Sequence, residues 1–232
     1  MKGEIIYKLQ LYYKDEYIRL FQGDCLEVMD RLIEKGVKFD MILTDPPYGI
    51  DLTPQRESGK FKNTKVVNDN NLDWLPKVVK QWKDLLKPDS CAYIFCNWQN
   101  YDVFKQEIQK EFIIKNCIVW DKDWLGMGNN WRPNHEFIIL ATNGKFKTKS
   151  NNKTNIIKSR RLSSQKMLHS CEKPQPLLEE LIIESCNEND LILDSFVGSG
   201  STLLASRNLH RKCIGIELEE KYCEIAKNRL IA

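Results

Sequence analysis

The stretch DLILDSFVGSGST at residues 190–202 joins an apolar run to a turn rich in glycine and serine. The apolar run is typical of a buried strand, and Gly198 and Gly200 allow a tight turn and close approach of a ligand to the backbone. The residues that follow have a helical pattern, and the N-terminus of such a helix offers free backbone N–H groups. The stretch therefore predicts a strand, a loop that faces a ligand, and a helix.

An acid in the next predicted strand indicates what that ligand carries. The segment KCIGIELEE (212–220) places Glu217 seventeen residues after Gly200. An acid at this position of a Rossmann-like sheet binds ribose hydroxyls, which predicts a cofactor that contains a nucleoside. NAD and S-adenosylmethionine both fit, but Leu203 stands where the NAD pattern needs its third glycine, so a ligand without a pyrophosphate is favoured. A structural turn beside a surface acid is the alternative.

Strand-like and helical patterns alternate along the rest of the chain. The other predicted strands are residues 17–24, 39–45, 91–97, 113–122 and 135–144, and the main predicted helices are residues 25–36, 74–88, 99–111 and 175–186. This order predicts an α/β fold with a doubly wound, mostly parallel sheet, in one domain over residues 1–232. Two insertions are expected: a mobile polar loop at 51–71 and a basic region at 123–171.

The composition is that of an ordinary soluble globular protein, with 42% hydrophobic and 29% charged residues among 232. No apolar run approaches a membrane span, and the charges within residues 1–20 are not those of a secretory signal. The eight cysteines lack zinc-type spacing, so no metal site is expected. Reduced thiols in a cytoplasmic protein, without a membrane partner, are the prediction.

Positive charge is concentrated in one segment. Residues 137–171 contain eight Lys or Arg and no Asp or Glu, and because the whole chain has a net charge of +3, the remainder carries −5. A basic segment on an acidic body favours a polyanionic partner. A solvated loop is the alternative that charge alone leaves open.

A second unusual stretch, ILTDPPYGI at residues 42–50, ends an apolar strand in an acid and two prolines. Open α/β sheets bind ligands at the carboxyl ends of their strands, where this corner lies. The proline rings stiffen the turn and hold two acceptors, the Asp45 carboxylate and the Pro46 carbonyl. Such a pair suits an exocyclic amine, and the Tyr48 ring beside it suits stacking on a base. The alternative is a tight turn with an N-capping Asp.

Five segments together resemble the DNA amino-methyltransferases of the permuted, or beta, class, in which the catalytic half precedes the cofactor half. They are FQGDCLEVM (21–29), DMILTDPPYGI (40–50), HSCEKPQPLLEELI (169–182), DSFVGSGST (194–202) and GIELEEKYCEIAKNRL (215–230). The resemblance covers nearly the whole chain and points to the N6-adenine type with its Asp-Pro-Pro-Tyr corner. It implies the Rossmann-like, seven-stranded sheet of class I S-adenosylmethionine-dependent methyltransferases. Ser195 departs from the pattern, since the family often has proline there.

The resemblance implies methyl transfer to the exocyclic N6 of adenine in DNA, after the base has been flipped out of the duplex. Hydrogen bonds from the amine to the corner would aim the nitrogen lone pair at the methyl group, so that positioning and electrostatics supply most of the acceleration. The implied catalytic residues are Asp45, Pro46, Pro47 and Tyr48. Methylation of cytosine N4, methylation of RNA, and a non-catalytic nucleic-acid-binding module stay open as alternatives.

The implied cofactor is S-adenosylmethionine. Its adenine would lie near Asp24 and Cys25, its ribose at Glu217, and its methionine end near Lys173 and Pro174. The other residues implied in cofactor binding are Asp45, Asp194, Phe196, Gly198, Gly200, Thr202 and Leu218.

The implied macromolecular partner is double-stranded DNA, recognised by the basic region. Lys and Arg supply phosphate contacts, and Arg, Asn and Lys can also contact base edges. The residues predicted to bind DNA are Asn130, Arg132, Lys145, Lys147, Arg160 and Arg161. The tryptophans predicted to pack in the core are Trp74, Trp82 and Trp98. The sequence leaves open a homodimer, a restriction endonuclease partner and the recognition sequence.

Overall fold

The structure is a computed structural model, and it describes residues 10–51, 67–126, 130–162 and 172–232. These ranges contain nine strands and six helices. The strands are β1 (Gln10–Lys14), β2 (Ile18–Gln22), β3 (Phe39–Thr44), β4 (Leu86–Cys96), β5 (Ile113–Asp121), β6 (His135–Asn143), β7 (Ile156–Lys158), β8 (Leu191–Asp194) and β9 (Lys212–Glu217). The helices are α1 (Cys25–Glu34), α2 (Leu75–Leu85), α3 (Tyr101–Ile108), α4 (Gln175–Ser185), α5 (Ser201–Asn208) and α6 (Glu220–Ile231).

All nine strands belong to one sheet, in the order β1-β2-β9-β8-β3-β4-β6-β5-β7. Neighbours from β2 to β4 are parallel, and β6 is antiparallel to both β4 and β5. The predicted α/β fold with a doubly wound, mostly parallel sheet is confirmed, and the seven predicted strands are those from β2 to β5 in this order. Two short edge strands are additional: β1 pairs with β2, and β7 pairs with β5. The basic region predicted as an insertion therefore supplies β6 and β7 to the sheet.

Helices cover both faces of the sheet because each turns an apolar stripe inward. Helices α1, α2 and α3 pack on one face, and α4, α5 and α6 pack on the other. Strand β3 is buried on both sides: Ile42 packs with the first group of helices, whereas Met41 and Leu43 pack with the second. Full burial of such a side chain contributes roughly 1.5–3 kcal/mol. The two apolar layers thereby fix the strand ends that carry the polar side chains described below.

The junction between α2 and β4 differs from the prediction. The sequence predicts a helix over 74–88 and a strand over 91–97, whereas α2 ends at Leu85 and β4 begins at the next residue. A residue that precedes proline disfavours the helical conformation, which ends the helix before Pro88. The register between β3 and β4 shifts at this end of the strand, and such an irregularity accommodates a proline within a sheet.

The two ends of the sheet hold different parts of the basic region. The parallel strands β2, β9, β8, β3 and β4 finish at one end, which we call the carboxyl end. Because β6 is antiparallel to β4, it begins at the carboxyl end and finishes at the opposite, amino end, while β5 and β7 both finish at the carboxyl end. The described loop residues 122–126 and 130–134, together with residues 159–162, therefore lie at the carboxyl end. Residues 144–153 lie at the amino end.

In the described parts of the chain, no helix has the length and apolar character needed to cross a membrane. Their His, Cys, Asp and Glu side chains form no group of three or more that could hold a metal ion.

Candidate functional site

The acidic corner (residues 45–48) follows β3 at the carboxyl end of the sheet. The Tyr48 hydroxyl donates to Asp45 Oδ1 over 2.5 Å, and Lys173 Nζ donates to Asp45 Oδ2 over 2.5 Å. Tyr48 is 7% exposed, so its ring forms part of the wall of the site. The sequence predicted a stacking face at Tyr48, and the structure adds a hydroxyl that orients the carboxylate.

Two residues that the sequence analysis did not identify hold the backbone of the corner. Asp69 Oδ1 accepts the backbone N–H groups of Tyr48 and Gly49, over 2.8 and 2.9 Å. Asn100 Nδ2 donates to the Tyr48 carbonyl over 2.7 Å. Asp69 is 3% exposed, although it falls in the stretch 51–71 that was predicted to be a mobile loop. Residues 52–66 of that stretch lie outside the described residues.

Glu136, at the start of β6, brings a second carboxylate to Lys173. Glu136 Oε2 lies 3.2 Å from Lys173 Nζ and 3.2 Å from the hydroxyl oxygen of Tyr48. Glu136 Oε1 lies 2.6 Å from Lys122 Nζ. Two carboxylates and two ammonium groups therefore form one connected network around the corner.

The two carboxylates of this network have different pKa shifts. Burial raises the pKa of Asp45, and the ammonium group of Lys173 opposes that rise. Burial also acts to raise the pKa of Glu136, but the ammonium groups of Lys173 and Lys122 outweigh it and lower that pKa to about 2. Glu136 is consequently an anion at neutral pH, and the charge on Asp45 depends on its contact with Lys173.

The glycine loop between β8 and α5 is shaped by Gly200. Its φ is +82°, and a Cβ built on it would lie 2.8 Å from the Cβ of Ala226 in α6. A side chain at this position is excluded both by the left-handed backbone and by the neighbouring helix. The close approach places α5 directly after the loop, with its N-terminus at the carboxyl end of the sheet.

Glu217 ends β9 and faces the glycine loop. Its two carboxylate oxygens accept the backbone N–H groups of Gly198 and Glu219, each over 2.8 Å. Burial raises the pKa of Glu217 to about 7. A carboxylate oxygen has more than one acceptor position, so this anchored group can also receive hydroxyl donors such as those of a ribose.

Asp194, at the end of β8, links the glycine loop to the acidic corner. Asp194 Oδ1 accepts the Thr44 hydroxyl over 3.0 Å and the Phe196 backbone N–H over 3.1 Å. Burial raises the pKa of Asp194 to about 6. Ser195, where the resembled family often has proline, accepts the indole N–H of Trp82 over 3.0 Å.

One pocket joins the acidic corner to the glycine loop. Most of the predicted catalytic and cofactor-binding residues line it: Asp24, Cys25, Asp45, Pro46, Pro47, Tyr48, Lys173, Asp194, Phe196, Gly198, Thr202, Glu217 and Leu218. The structure does not bring Pro174 or Gly200 to the pocket wall, since Pro174 caps α4 and Gly200 packs against α6. Burial raises the pKa of Cys25 to about 12, so its thiol stays protonated.

A buried ion pair that the sequence did not reveal supports the pocket from below. Arg229 Nη1 in α6 lies 2.6 Å from Glu172 Oε1 and donates to Ser201 Oγ over 3.1 Å. Glu172 precedes Lys173, and its side chain is 2% exposed. The pair therefore ties the segment that carries Lys173 to the glycine loop.

The residues predicted to bind DNA separate into two groups. Asn130, Arg132, Arg160 and Arg161 lie at the carboxyl end with the pocket. Lys145 and Lys147 follow β6 at the amino end, where the backbone N–H of Lys145 donates to Asp89 Oδ1 over 2.6 Å. Strand β6 begins at the carboxyl end, after Asn130 and Arg132, and finishes at the amino end, before Lys145 and Lys147. Strand β7 then returns the chain to the carboxyl end, before Arg160 and Arg161.

Aromatic side chains accompany the basic residues at the carboxyl end. Trp131 is 98% exposed, and the Arg160 guanidinium lies 5.7 Å from the centre of the Trp124 ring. Trp82 is fully buried, as predicted, whereas Trp98 is 61% exposed, so its predicted place in the core is wrong. Trp98 follows β4 and is carried out of the core by the end of that strand.

Known proteins are similar to this chain in sequence and in structure. The family model described as DNA methylase matches residues 39–228. The type II methyltransferase M2.LlaDCHI of Lactococcus lactis subsp. cremoris is 29% identical, covering 94% of this chain and 91% of that protein. The DNA adenine methyltransferase YhdJ of Escherichia coli (strain K12) is 26% identical, covering 94% and 84%. The crystal structure of the M1.HpyAVI–SAM complex is similar with a TM-score of 0.75 and 28% identity, covering 93% of this chain and 100% of that one.

Proposed function

Because the chain belongs to the DNA methylase family, we propose that it methylates the exocyclic N6 of adenine in double-stranded DNA. Membership of this family makes the chain an S-adenosylmethionine-dependent DNA methyltransferase. The choice of adenine and the flipping of the base are the further steps of the proposal. The observation that carries them is the partly buried Asp45 carboxylate, held at the end of β3 in the pocket that continues to Glu217.

The residues of the pocket fit S-adenosylmethionine. Glu217 offers anchored acceptor oxygens for ribose hydroxyls, and the carboxylates of Asp194 and Asp45 complement the positive charge of a sulfonium. When bound, the cofactor supplies an electrophilic methyl group. The glycine loop packs closely against α6 because Gly200 lacks a side chain. The loop leads directly into α5, whose N-terminal backbone N–H groups can face the ligand.

The acidic corner supplies the geometry for the acceptor nitrogen. Asp45 and the Pro46 carbonyl would accept the two N–H groups of the amine, which draws the nitrogen lone pair out of conjugation with the ring. The nitrogen–methyl bond would form as the sulfur–methyl bond of the donor breaks and leaves a neutral thioether, and the Asp45 carboxylate would stabilise the positive charge that the nitrogen gains. Asp45 then accepts the proton that the nitrogen sheds, which its raised pKa favours. A base within a duplex cannot reach this buried corner, so it must first be flipped out.

Adenine is favoured over cytosine by two observations. The corner reads Asp-Pro-Pro-Tyr, the form that the family resemblance associates with N6-adenine, and a relative similar over 94% of this chain is named as a DNA adenine methyltransferase. The test is transfer of labelled methyl from the cofactor to duplexes of defined sequence, followed by nucleoside analysis. N6-methyladenine is expected; N4-methylcytosine, or equal methylation of an RNA duplex, would contradict the proposal.

Asp45→Asn is the matching variant, since it keeps the shape of the side chain and removes its charge. Loss of one preorganised electrostatic contact lowers kcat by about 100- to 1,000-fold. Affinity for the cofactor, measured by calorimetry, should fall much less than kcat, because Glu217 and Asp194 are unchanged. Turnover close to that of the unchanged protein would refute the assigned role of Asp45.

The DNA-binding surface in this proposal is the carboxyl end of the sheet, with Arg132, Arg160 and Arg161. The matched comparison is Arg160→Gln/Arg161→Gln against Lys145→Gln/Lys147→Gln, which removes the same charge at the two ends of the sheet. Each lost phosphate contact lowers the salt dependence of binding by about one unit of log–log slope. Arg160→Gln/Arg161→Gln should lower the slope of log affinity against log salt concentration, and Lys145→Gln/Lys147→Gln should leave it unchanged. Equal losses would argue for a DNA surface that spans both ends.

The cellular setting completes the proposal. A relative is named as a type II methyltransferase, so we expect a restriction endonuclease with the same recognition sequence, in the cytoplasm. Mapping of methylated sites in treated DNA identifies that sequence. Methylated DNA that every restriction enzyme of the same host still cleaves would contradict this expectation. A homodimer stays a prediction from the sequence alone.

A further inference from the structure

The ammonium group of Lys173 occupies the carboxylate on which the proposed function depends. It donates to Asp45 Oδ2 over 2.5 Å, while the Tyr48 hydroxyl donates to Oδ1 over 2.5 Å. A hydrogen bond between an ammonium group and a carboxylate is of the strong, charge-assisted kind. An amine that approaches Asp45 must therefore displace or share this contact. A cation beside the acceptor nitrogen also opposes the positive charge that develops there.

A second acceptor for the same ammonium group is already in place. Glu136 Oε2 lies 3.2 Å from Lys173 Nζ, and Glu136 does not line the pocket that contains Asp45. Its other oxygen is anchored by Lys122 Nζ at 2.6 Å. A small movement of the Lys173 ammonium group would transfer its hydrogen bond from Asp45 to Glu136.

The surroundings of Lys173 permit such a movement without exposure to water. Its side chain is 5% exposed. Its Nζ lies 5.0 Å from the ring centre of Phe95, 5.6 Å from that of Tyr48 and 6.0 Å from that of Trp120. Aromatic faces attract an ammonium group without fixing one hydrogen-bond direction. The three rings thus form an enclosure in which the cation can face either Asp45 or Glu136.

We propose that Glu136 is a positioning residue that takes the ammonium group of Lys173 away from Asp45 when the target amine binds. Glu136 acts through Lys173 and does not touch the base or the cofactor. The inference rests on the proposed function, because it needs an amine that is received at Asp45. The persistent negative charge of Glu136, whose pKa lies at about 2, keeps the second acceptor available at neutral pH.

The first test is Glu136→Gln, which keeps the size of the side chain and removes its charge. Lys173 should then stay on Asp45, and kcat should fall at least 10-fold. Affinity for S-adenosylmethionine should change less than twofold. Glu180→Gln is the control, because Glu180 also pairs with a lysine, Lys153 at 2.9 Å, but near the amino end of the sheet. An unchanged kcat in folded Glu136→Gln would overturn the proposal.

A double-mutant cycle separates positioning from a merely structural role. If Glu136 acts through Lys173, the effects of Glu136→Gln and Lys173→Met on kcat are not additive, and the double variant is no slower than Lys173→Met alone. Multiplied losses would refute the mechanism. If Glu136→Gln does not fold, Glu136→Asp carries the test, because its shorter carboxylate keeps the charge but lies farther from Lys173. It should lose about threefold to 10-fold in kcat at unchanged cofactor affinity, and full activity would overturn the proposal.

Failure of this inference can be told apart from failure of the proposed function. The unchanged protein is assayed first on duplexes that contain adenine in the mapped site. Absence of N6-methyladenine in that assay contradicts the proposed function. Normal methylation by the unchanged protein, with Glu136→Gln as fast, contradicts the role of Glu136 and leaves the proposed function standing.

Discussion

Replacement of Gly200 by alanine should destabilise the fold by about 2–4 kcal/mol, although the change adds a single methyl group. A non-glycine residue in the left-handed region costs roughly 1–2 kcal/mol, and Gly200 has φ +82°. The added Cβ would lie 2.8 Å from the Cβ and 3.1 Å from the Cα of Ala226, well inside the usual carbon–carbon separation of about 3.5–4.0 Å. Overpacking of this kind costs typically about 1–3 kcal/mol. Alanine also restricts the unfolded chain more than glycine does, which offsets about 0.4–1 kcal/mol of this destabilisation.

Gly36→Ala is the matched control for the contact with α6. Gly36 has φ +66°, but a Cβ built there meets no atom within 4 Å. Gly36→Ala should therefore lower the free energy of unfolding by the backbone cost alone, which is about 1 kcal/mol. Urea unfolding followed by tryptophan fluorescence measures both variants. Equal unfolding free energies for Gly200→Ala and Gly36→Ala would refute the steric reasoning, and Ala226→Gly in the Gly200→Ala background should recover part of the loss.

Three further predictions concern the pocket. Cofactor affinity should rise up to about 10-fold between pH 6 and pH 8, because the pKa of Glu217 is raised to about 7 and only the ionised acid is a full acceptor. Calorimetry across this pH range should show the rise, and Glu217→Gln should abolish it. Arg229→Met should cost about 3 kcal/mol in urea unfolding, since it removes the ion-pair partner of a carboxylate that is 2% exposed; a loss below about 1 kcal/mol would contradict the assigned support. Asp69→Ala removes the acceptor of two backbone N–H groups at the corner and should lower kcat at least about 10-fold, whereas Asp69→Asn, which keeps one acceptor oxygen, should be milder in the same methyl-transfer assay.

The raised pKa of Glu217 also determines how the stability of the fold changes with pH, because the folded and unfolded states bind a proton with different affinity. Its folded pKa is raised above the ordinary value of 4.5 by burial, so the folded state binds a proton more tightly than the unfolded chain does. The contribution of this group to stability is therefore greatest below pH 4.5 and is lost as the pH rises through about 7. Cofactor affinity and stability should respond to pH in opposite directions, and unfolding curves at pH 6 and pH 8 for the unchanged protein and Glu217→Gln measure the second response.

The parts of the site that could be predicted from the sequence are those encoded by neighbouring residues. The corner at 45–48 and the loop at 198–202 each combine a strand, a break and a particular side chain, so their place at a strand end follows from local pattern. Glu217 follows from its spacing after the loop. These features depend on chain order and strand direction, which the alternation of elements already determines.

Residues whose role depends on distant packing could not be predicted in this way. Glu136 reads as the polar start of a strand, and nothing near it in sequence reveals Tyr48, which is 88 residues away. The basic region shows the converse, because Lys145 and Arg160 are close in sequence yet lie at opposite ends of the sheet. Strand β6 advances about 3.3 Å per residue, so its nine residues span about 30 Å.

Side-chain contacts of Thr44 help to link the two halves of the site, because its hydroxyl oxygen lies 3.0 Å from Asp194 Oδ1 and 3.3 Å from Ser195 Oγ. Strands β3 and β8 are neighbours, but their paired positions include no residue beyond Ile42 and Leu193 towards the carboxyl end. The Thr44 hydroxyl then donates to Asp194 Oδ1 over 3.0 Å, across 150 residues of sequence. The same carboxylate oxygen accepts the backbone N–H of Phe196, in the loop between β8 and α5. The position of the acidic corner relative to the cofactor loop is therefore fixed where the ladder between the two strands has ended, and a methyl donor and an acceptor amine held by these separate halves can meet in one geometry.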